Sequence, residues 1–244
     1  MQVIATWTNL SETTFLLRPQ DPAADYRVRI FTPKRELPFA GHPTLGSCHV
    51  WLALGGAPRG DEVIQECGAG LVRIKRDGAR LAFAAPPQRR SGEVDGDLRS
   101  RIAASLGVAE PAIKAAQWVD NGPGWVAVML GSRAEVLGLK RDGSLLPGQP
   151  LGVVAPWDPA RDGDEAQFEV RAYTSRGDTE DPVTGSLNAS LAQWLIGAGL
   201  AKPRYVAAQG TALGRAGRVH VAREGDTIWI GGDVTGCVAG TITV

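Results

Sequence analysis

The sequence predicts an α+β protein of two similar domains, each a curved, mostly antiparallel sheet wrapped around one central helix. Three observations carry this. The chain repeats itself: Val28-Arg29-Ile30-Phe31-Thr32-Pro33, followed by Pro43-Thr44-Leu45-Gly46-Ser47, recurs as Val170-Arg171-Ala172-Tyr173-Thr174-Ser175, followed by Pro182-Val183-Thr184-Gly185-Ser186. A second stretch, Gly70-Leu71-Val72-Arg73-Ile74 with Arg76-Asp77-Gly78, Leu81 and Phe83, lines up without gaps on Gly217-Arg218-Val219-His220-Val221 with Arg223-Glu224-Gly225, Ile228 and Ile230. Such self-similarity means two copies of one folding unit. The other observations are local: short alternating segments between turn residues read as strands, and two segments apolar nearly all round read as buried helices.

Taken in order, Gln2 to Asn9 reads as a short helix and Glu12 to Leu17 as a strand rich in Thr and Phe. Tyr26 to Phe31 alternates apolar and basic residues, as a half-buried strand does. Thr44 to Leu54 is the first buried helix. Val63 to Glu66, Gly70 to Lys75 and Arg80 to Ala84 form a meander with Asp77-Gly78 as a hairpin turn. Asp97 to Leu106 is an amphipathic helix closed by Gly107, and the polar tract Gln88 to Asp95 before it marks a boundary, giving domains 1–112 and 113–244. The second copy continues with strands at Trp118 to Asp120 and Trp125 to Leu130, a helix from Ser132 to Leu137, a strand from Phe168 to Tyr173, the buried helix Gly185 to Ile196, and hairpins from Tyr205 onwards. Pro33 to Pro38 and Leu145 to Asp164 read as loops that shape a pocket.

Composition excludes several functions. The 244 residues suit two small domains, each able to bury a core. With 26 basic and 26 acidic residues and no basic stripe, nucleic acid is not an expected partner. The longest apolar runs fall far short of the ~20 residues that cross a bilayer, so no membrane association is expected. No charged-then-apolar leader opens the chain, which makes the cytoplasm the expected compartment. Cys48, Cys67 and Cys237 have no metal-ligand spacing and read as reduced, mostly buried thiols.

The starts of the two buried helices are where chemistry is expected. A helix N-terminus carries unpaired N–H groups and partial positive charge, and so holds a carboxylate without a basic side chain. Gly41, Thr44, Gly46 and Ser47 in the first copy, and Thr184, Gly185 and Ser186 in the second, are the candidate substrate-binding residues. Glycine permits close approach, and serine adds a hydroxyl. If the copies face each other, both starts line one cleft. The register also sets His42 opposite Asp181, so the copies differ in chemistry at matched points.

Several motifs together carry a family resemblance. Leu10-Ser11-Glu12-Thr13, Phe31-Thr32-Pro33, Glu36-Leu37-Pro38-Phe39-Ala40-Gly41-His42-Pro43-Thr44, Asp120-Asn121-Gly122-Pro123-Gly124-Trp125, Glu180-Asp181-Pro182-Val183-Thr184-Gly185-Ser186, and Gln209-Gly210 with Gly214-Arg215 resemble, nearly end to end, the PhzF-type isomerases of phenazine biosynthesis. The resemblance implies a diaminopimelate-epimerase-like fold, a cofactor-free active site between two similar domains, and a homodimer. It implies isomerisation of a small carboxylic acid such as trans-2,3-dihydro-3-hydroxyanthranilate, by moving a hydrogen along the ring with one glutamate as acid/base. Carried over, that glutamate is Glu12; His42 and Asp181 contact polar groups and help place protons; Ser186 and the N–H groups around Thr184 to Ser186 and Thr44 to Gly46 hold the carboxylate. Proton transfer of this kind asks for a carboxyl group enclosed in a partly apolar cleft. The family's usual opening strand and Gly-Asn-Pro segment are expected ahead of position 1. If the chain does lack them, the first domain is expected to have an open sheet edge, and to be less stable or less active than a form longer by ~30 residues.

Each residue has a plainer alternative. Glu12 reads equally as a solvated acid at a strand start, Asp181-Pro182 as a helix cap or turn, and His42 as a loop-bonding histidine. Two other functions stand beside the isomerase: a two-thiol racemase or epimerase of the same fold, disfavoured because Cys48 pairs by register with Leu187, and a non-catalytic binder of small carboxylates.

Overall fold

The structure is a computed structural model that describes residues 1–175 and 179–243. Two compact units result: Met1–Ala84 with Gly231–Val244, and Ala85–Ile230. The first contains α1 (Gln2–Thr8), β1 (Thr13–Leu17), β2 (Tyr26–Phe31), β3 (Glu36–Leu37), α2 (Gly41–Ala53), β4 (Val63–Cys67), β5 (Gly70–Asp77) and β6 (Arg80–Ala84). The second contains β7 (Arg90–Glu93), α3 (Gly96–Leu106), β8 (Ala115–Asp120), β9 (Val126–Met129), α4 (Arg133–Gly138), β10 (Leu151–Pro156), α5 (Pro159–Asp162), β11 (Phe168–Tyr173), β12 (Glu180–Asp181), α6 (Gly185–Gly197), β13 (Arg204–Gln209), β14 (Gly217–Glu224) and β15 (Thr227–Gly232), the last ending across the boundary.

In the first unit the strand order is β1-β2-β4-β5-β6, with β3 attached to β2. In the second it is β15-β14-β13-β11-β10-β9-β8-β7, with β12 attached to β11. Most pairs are antiparallel, and two of the parallel ones are informative. β2 pairs with β4 in parallel (Tyr26 with Gln65) and β11 with β13 in parallel (Phe168 with Ala207). A parallel pair needs a crossover, and here each crossover contains one of the two repeated helices. α2 packs on β1, β2, β4 and β6, which include both ends of the first unit's order. A sheet whose two end strands touch one helix must curl around it. α6 likewise packs on β8 and β14, several strands apart, so the second sheet also curls around its helix. The expected mixed α+β architecture is what the chain adopts.

The corresponding strands β1 and β10 differ in surroundings. β10 continues in parallel to β9 (Leu151 with Val126) and is buried at every position except Pro156, whereas β1 ends its unit's order and is half-buried throughout. Close packing inside the second unit also explains one glycine. A side chain on Gly152 would put a carbon 2.5 Å from Cδ1 of Leu187 on α6, so strand and helix meet here only because Cβ is missing.

Four details depart from the sequence expectation. The polar tract 88–95 contains β7, hydrogen-bonded to β8 through Gly92 and Trp118, because an edge strand satisfies only one side and has no need of apolar residues. The compact units divide the chain at Ala84/Ala85 and return its last residues to the first unit, while the sequence places the boundary at 112/113. α3 sits inside the second unit: Ile102, Ala103 and Leu106 share a core with Val126, Val128, Leu151 and Val153. The expected loop Leu145 to Asp164 contains β10, whose continuous apolar run, bracketed by Pro150 and Pro156, lacks the alternation that marks a half-exposed strand. Finally, α6 is buried along most of its length, but α2 is buried only in its first half, leaving Val50 and Leu54 exposed.

The repeat also duplicates an ion pair in two different environments. Arg29 holds Glu36 bidentately at 2.8 and 2.7 Å across β2 and β3, with side-chain exposures of 37% and 43%. Arg171 holds Glu180 at 3.0 and 2.7 Å across β11 and β12, with exposures of 11% and 6%. The buried guanidinium is completed by the carbonyls of Val136 and Leu139 at 3.1 and 2.9 Å, at the end of α4. Removing one partner of a buried pair strands the other charge, whereas an exposed pair is rehydrated. Glu180→Gln is therefore expected to cost about 3–5 kcal/mol in urea unfolding, and Glu36→Gln to leave the midpoint almost unmoved. Equal effects of the two substitutions would refute this account.

The thiols give a second check. Cys48 and Cys67 are buried in the first unit and Cys237 is exposed. Burial pushes the Cys48 thiol up to about 11 and the Cys67 thiol upward as well. Since the thiolate is the reactive form, the folded protein at pH 8 is expected to release one equivalent of thionitrobenzoate from Ellman's reagent quickly. The other two thiols should react only on unfolding, and fast reaction of two thiols in the folded state would contradict the burial.

Candidate functional site

In the first unit the site forms where the chain turns from α1 into β1. α1 is pinned by Gln2 Nε2 donating to the Thr32 carbonyl at 2.9 Å and Thr6 Oγ1 donating to the Pro33 carbonyl at 2.7 Å. It ends at Asn9 in the left-handed region (φ 51°), a conformation that Asn tolerates better than most residues. The turn that follows delivers Glu12 directly ahead of β1. Glu12 does not point into bulk solvent: its side chain is 17% exposed, and Oε2 lies 2.9 Å from Nε2 of His42, whose side chain is 55% exposed. This approach is close without the alignment of a hydrogen bond. The same Oε2 is fully buried and has no hydrogen-bond partner among the described residues. A buried carboxylate oxygen met only by an imidazole, and outside hydrogen-bond geometry, suits a group whose further partner is a substrate.

His42 reaches Glu12 because α2 begins one turn earlier than the sequence suggests. Gly41, His42 and Pro43 form the first turn, with Ala40 as the N-cap and no side chain capping it. Residues preceding a proline are biased away from the helical region, which is why the sequence places the start after Pro43. A proline in the first turn sacrifices no hydrogen bond, so the helix can include it. The shift relocates the candidate binding residues. Thr44 is buried, donating its N–H to the Ala40 carbonyl at 3.1 Å and accepting from Gln65 Nε2 at 3.0 Å. Gly46 and Ser47 lie in the second turn, and the Ser47 hydroxyl donates to Thr14 Oγ1 on β1 at 3.0 Å. In this copy the first-turn positions are Gly41 and His42, and Ser47 ties the helix to the sheet.

In the second unit the expected start holds. α6 begins at Gly185 with Thr184 as N-cap, and here too no side chain caps the first turn. Thr184 could do so, but its hydroxyl donates to Asp181 Oδ2 at 2.6 Å and accepts from Gln209 Nε2 at 3.0 Å. Gln209 is the hub of this turn. Its Oε1 accepts from the Thr184 N–H at 3.1 Å and Asn188 Nδ2 at 2.8 Å, and its Nε2 also donates to the Asp181 carbonyl at 2.8 Å. The next residue has to be glycine. At φ 89° and with the Pro182 carbonyl oxygen 2.7 Å from any Cβ built there, Gly210 lets the chain pass against the turn. Asp181 thus fits the plainer reading, a carboxylate that braces a helix start, while in the first turn of α6 the Ser186 hydroxyl accepts from the Trp125 indole N–H at 3.0 Å.

By contrast, α3, α4 and α5 are capped by Asp95, Ser132 and Asp158. The two repeated helices, like the short α1, are left uncapped, and the repeated pair are the helices expected to meet an anion. The geometry therefore brings Glu12 to His42 in one unit and groups Asp181, Thr184, Gly185 and Ser186 in the other. It turns Thr44, Gly46 and Ser47 towards packing. Sequence reading missed Gln65, Gln209 and Trp125 as supports; a glutamine inside an apolar strand, as in Val63-Ile64-Gln65, is the signal that could have found the first. Among the described residues no group of three or more His, Cys, Asp or Glu could hold a metal ion, and no helix is long and apolar enough to cross a membrane.

Comparison with known proteins identifies the family. The family model described as phenazine biosynthesis-like protein matches residues 1–237. Antisense-enhancing sequence 1 of Schizosaccharomyces pombe is 33% identical, covering 98% of this chain and 87% of its own. The trans-2,3-dihydro-3-hydroxyanthranilate isomerase of Pseudomonas aeruginosa is 32% identical, covering 92% and 80%. The crystal structure of a PhzF-family protein from Enterococcus faecalis has a TM-score of 0.75 at 24% identity, covering 95% of this chain and 82% of that one. A hydroxyproline epimerase from Agrobacterium vitis, at TM-score 0.53 and 15% identity over 90% of this chain and 71% of that one, shares the fold alone. With a family match over nearly its whole length and relatives named as isomerases, the chain belongs to the phenazine biosynthesis-like family and is an isomerase.

Proposed function

We propose that the protein is a cofactor-independent isomerase that moves a proton within a small carboxylic acid of the trans-2,3-dihydro-3-hydroxyanthranilate type. The observation that carries this is the buried Glu12 oxygen, 2.9 Å from His42 and without a hydrogen-bond partner among the described residues. Glu12 as carboxylate takes a proton from a substrate carbon, becomes a carboxylic acid, and returns the proton to a second carbon, so it ends the cycle as it began. The electron pair left by the C–H bond is delocalised towards the substrate carboxylate, and donors around that carboxylate stabilise the charge as it develops. The uncapped start of α6 supplies such donors, with the Ser186 hydroxyl beside them. His42, beside Glu12, contacts a polar group of the substrate and helps to place the proton, and Asp181 serves the same reaction while bracing the turn that presents Ser186.

The two-thiol reading has little to stand on. Cys48 is buried in the second turn of α2 with its thiol held protonated by burial, whereas a proton-exchanging cysteine must be accessible and readily ionised.

The decisive measurement is carbon-bound deuterium uptake in D2O with trans-2,3-dihydro-3-hydroxyanthranilate as substrate. Glu12→Gln keeps the size of the side chain and removes its basicity; it is expected to lower the rate about 10²–10⁴-fold, the usual contribution of a positioned acid/base group, with the melting temperature nearly unchanged. A Glu12→Gln protein as active as the wild type would overturn the proposal. One that binds the acid normally, beside a wild type that shows no turnover, would point to the carboxylate-binding module instead.

A further inference from the structure

We infer that Trp125 is a positioning residue that sets the Ser186 hydroxyl as a hydrogen-bond donor towards the substrate carboxylate; this rests on the reading of the α6 start as the carboxylate site. A serine in the first turn of a helix has competing uses for its hydroxyl, including bonds back to its own backbone. Here one of them is imposed. Indole is a donor only, and Trp125 Nε1 reaches Ser186 Oγ at 3.0 Å, so the hydroxyl oxygen must accept on that side and its single proton must be offered elsewhere. An anion wants that proton, and the indole orients it without competing for the ligand.

The segment that brings Trp125 to the helix is itself locked. Asp120 Oδ1 accepts from the N–H groups of Gly122 and Gly124 at 2.7 and 2.6 Å, and Gln149 Nε2 donates to the Gly124 carbonyl at 2.7 Å. Both glycines adopt positive φ, 143° and 87°, which the tight turn between β8 and β9 requires. From the same segment Asn121 Nδ2 donates to the Ser186 carbonyl at 2.9 Å, so Ser186 is gripped at backbone and side chain at once. Trp125 is only 4% exposed, so its ring is enclosed by packing. None of these groups needs to touch the substrate; they restrict Ser186 to one orientation before the substrate arrives, which reduces what binding must spend on ordering it.

The test is a double-mutant cycle on Trp125→Phe and Ser186→Ala, read as the calorimetric Kd for 2-aminobenzoate, a stable ring carboxylate. Ser186→Ala is expected to weaken binding by roughly tenfold or more, as loss of a hydrogen bond to a charged group does. Trp125→Phe is expected to weaken it by about threefold to tenfold, since the hydroxyl survives but is no longer directed. In the Ser186→Ala background Trp125→Phe should add nothing, because its only route to the ligand has gone. Multiplicative effects in the double mutant would mean that Trp125 acts through packing, and would overturn the inference while leaving the carboxylate site standing. No effect of Ser186→Ala, or no binding of 2-aminobenzoate by the wild type, would sink the carboxylate reading and the inference with it. A check that leaves Trp125 intact is its indole proton resonance, expected to move upfield in Ser186→Ala as the acceptor is lost; an unmoved set of indole resonances would also refute the proposal.

Discussion

Everything in this fold that bears on chemistry depends on keeping the start of an internal helix uncapped yet firmly held. A helix that begins inside a curled sheet has first-turn N–H groups that no intrahelical carbonyl can satisfy, and most proteins settle the matter with a capping side chain. Here the holding falls on a threonine of the first turn's edge, the N-cap Thr184 in α6 and the fourth helical residue Thr44 in α2. Each buried threonine is gripped by a buried glutamine from the strand that follows the crossover. Gln65 donates to Thr44 and accepts from the Tyr26 hydroxyl at 2.8 Å in the first copy, while Gln209 binds both the N–H and the hydroxyl of Thr184 in the second. Because each glutamine satisfies buried polar partners, removing either would leave those partners orphaned at about 1–3 kcal/mol each. The grip fixes the helix start while no side chain caps its first turn.

The two grips are solutions to one problem reached from different positions. Tyr26 faces Gln65 across β2 and β4, and the matching pair across β11 and β13 is Phe168 with Ala207, so the second glutamine, Gln209, sits two residues further along its strand. The larger reach of the second copy goes with a longer turn after β13, where Gly210 gives room for the Pro182 carbonyl. The same divergence shows in the acid. Thr13 pairs with Phe31 in the first copy and Leu151 with Tyr173 in the second, which sets Glu12 against Pro150. Duplication supplied two anion-ready helix starts and only one carboxyl group at the head of a strand, and a single acid/base group is what moving one proton within one molecule asks for.

How much of this was legible follows from what each feature depends on. The strands Tyr26–Phe31, Arg80–Ala84 and Phe168–Tyr173 and the start of α6 are readable because alternation and turn residues are local signals, and the repeat confirms each from its copy. β7 and β10 are not, for opposite reasons. β7 lies at an edge and carries no apolar face, while β10 is buried on both faces and shows no alternation. Arg171–Glu180 was hidden because burial is a tertiary property: the matching Arg29–Glu36 pair of the other copy joins the same residue types and lies in solvent. Of the site, the residue types were visible in Leu10-Ser11-Glu12-Thr13 and Asp181-Pro182. The Glu12–His42 approach and the diversion of Thr184 were not, since both depend on where a helix actually begins.

That last dependence has a chemical consequence. Were α2 to start after Pro43, as its dipeptide preference suggests, His42 would sit in extended chain, where successive side chains alternate direction and its placement would follow the loop. Starting at Gly41 puts His42 on the first helical turn, in a frame set by the buried Pro43, Thr44 and Leu45. Proline in that turn forgoes an N–H that had no helical acceptor in any case, so the extra turn costs the helix no hydrogen bond. The imidazole is thereby held by a rigid element at 2.9 Å from Glu12 while remaining more than half exposed. A proton-handling pair needs this combination of one fixed, enclosed member and one that can meet a substrate, and a one-turn shift of helix start is sufficient to produce it.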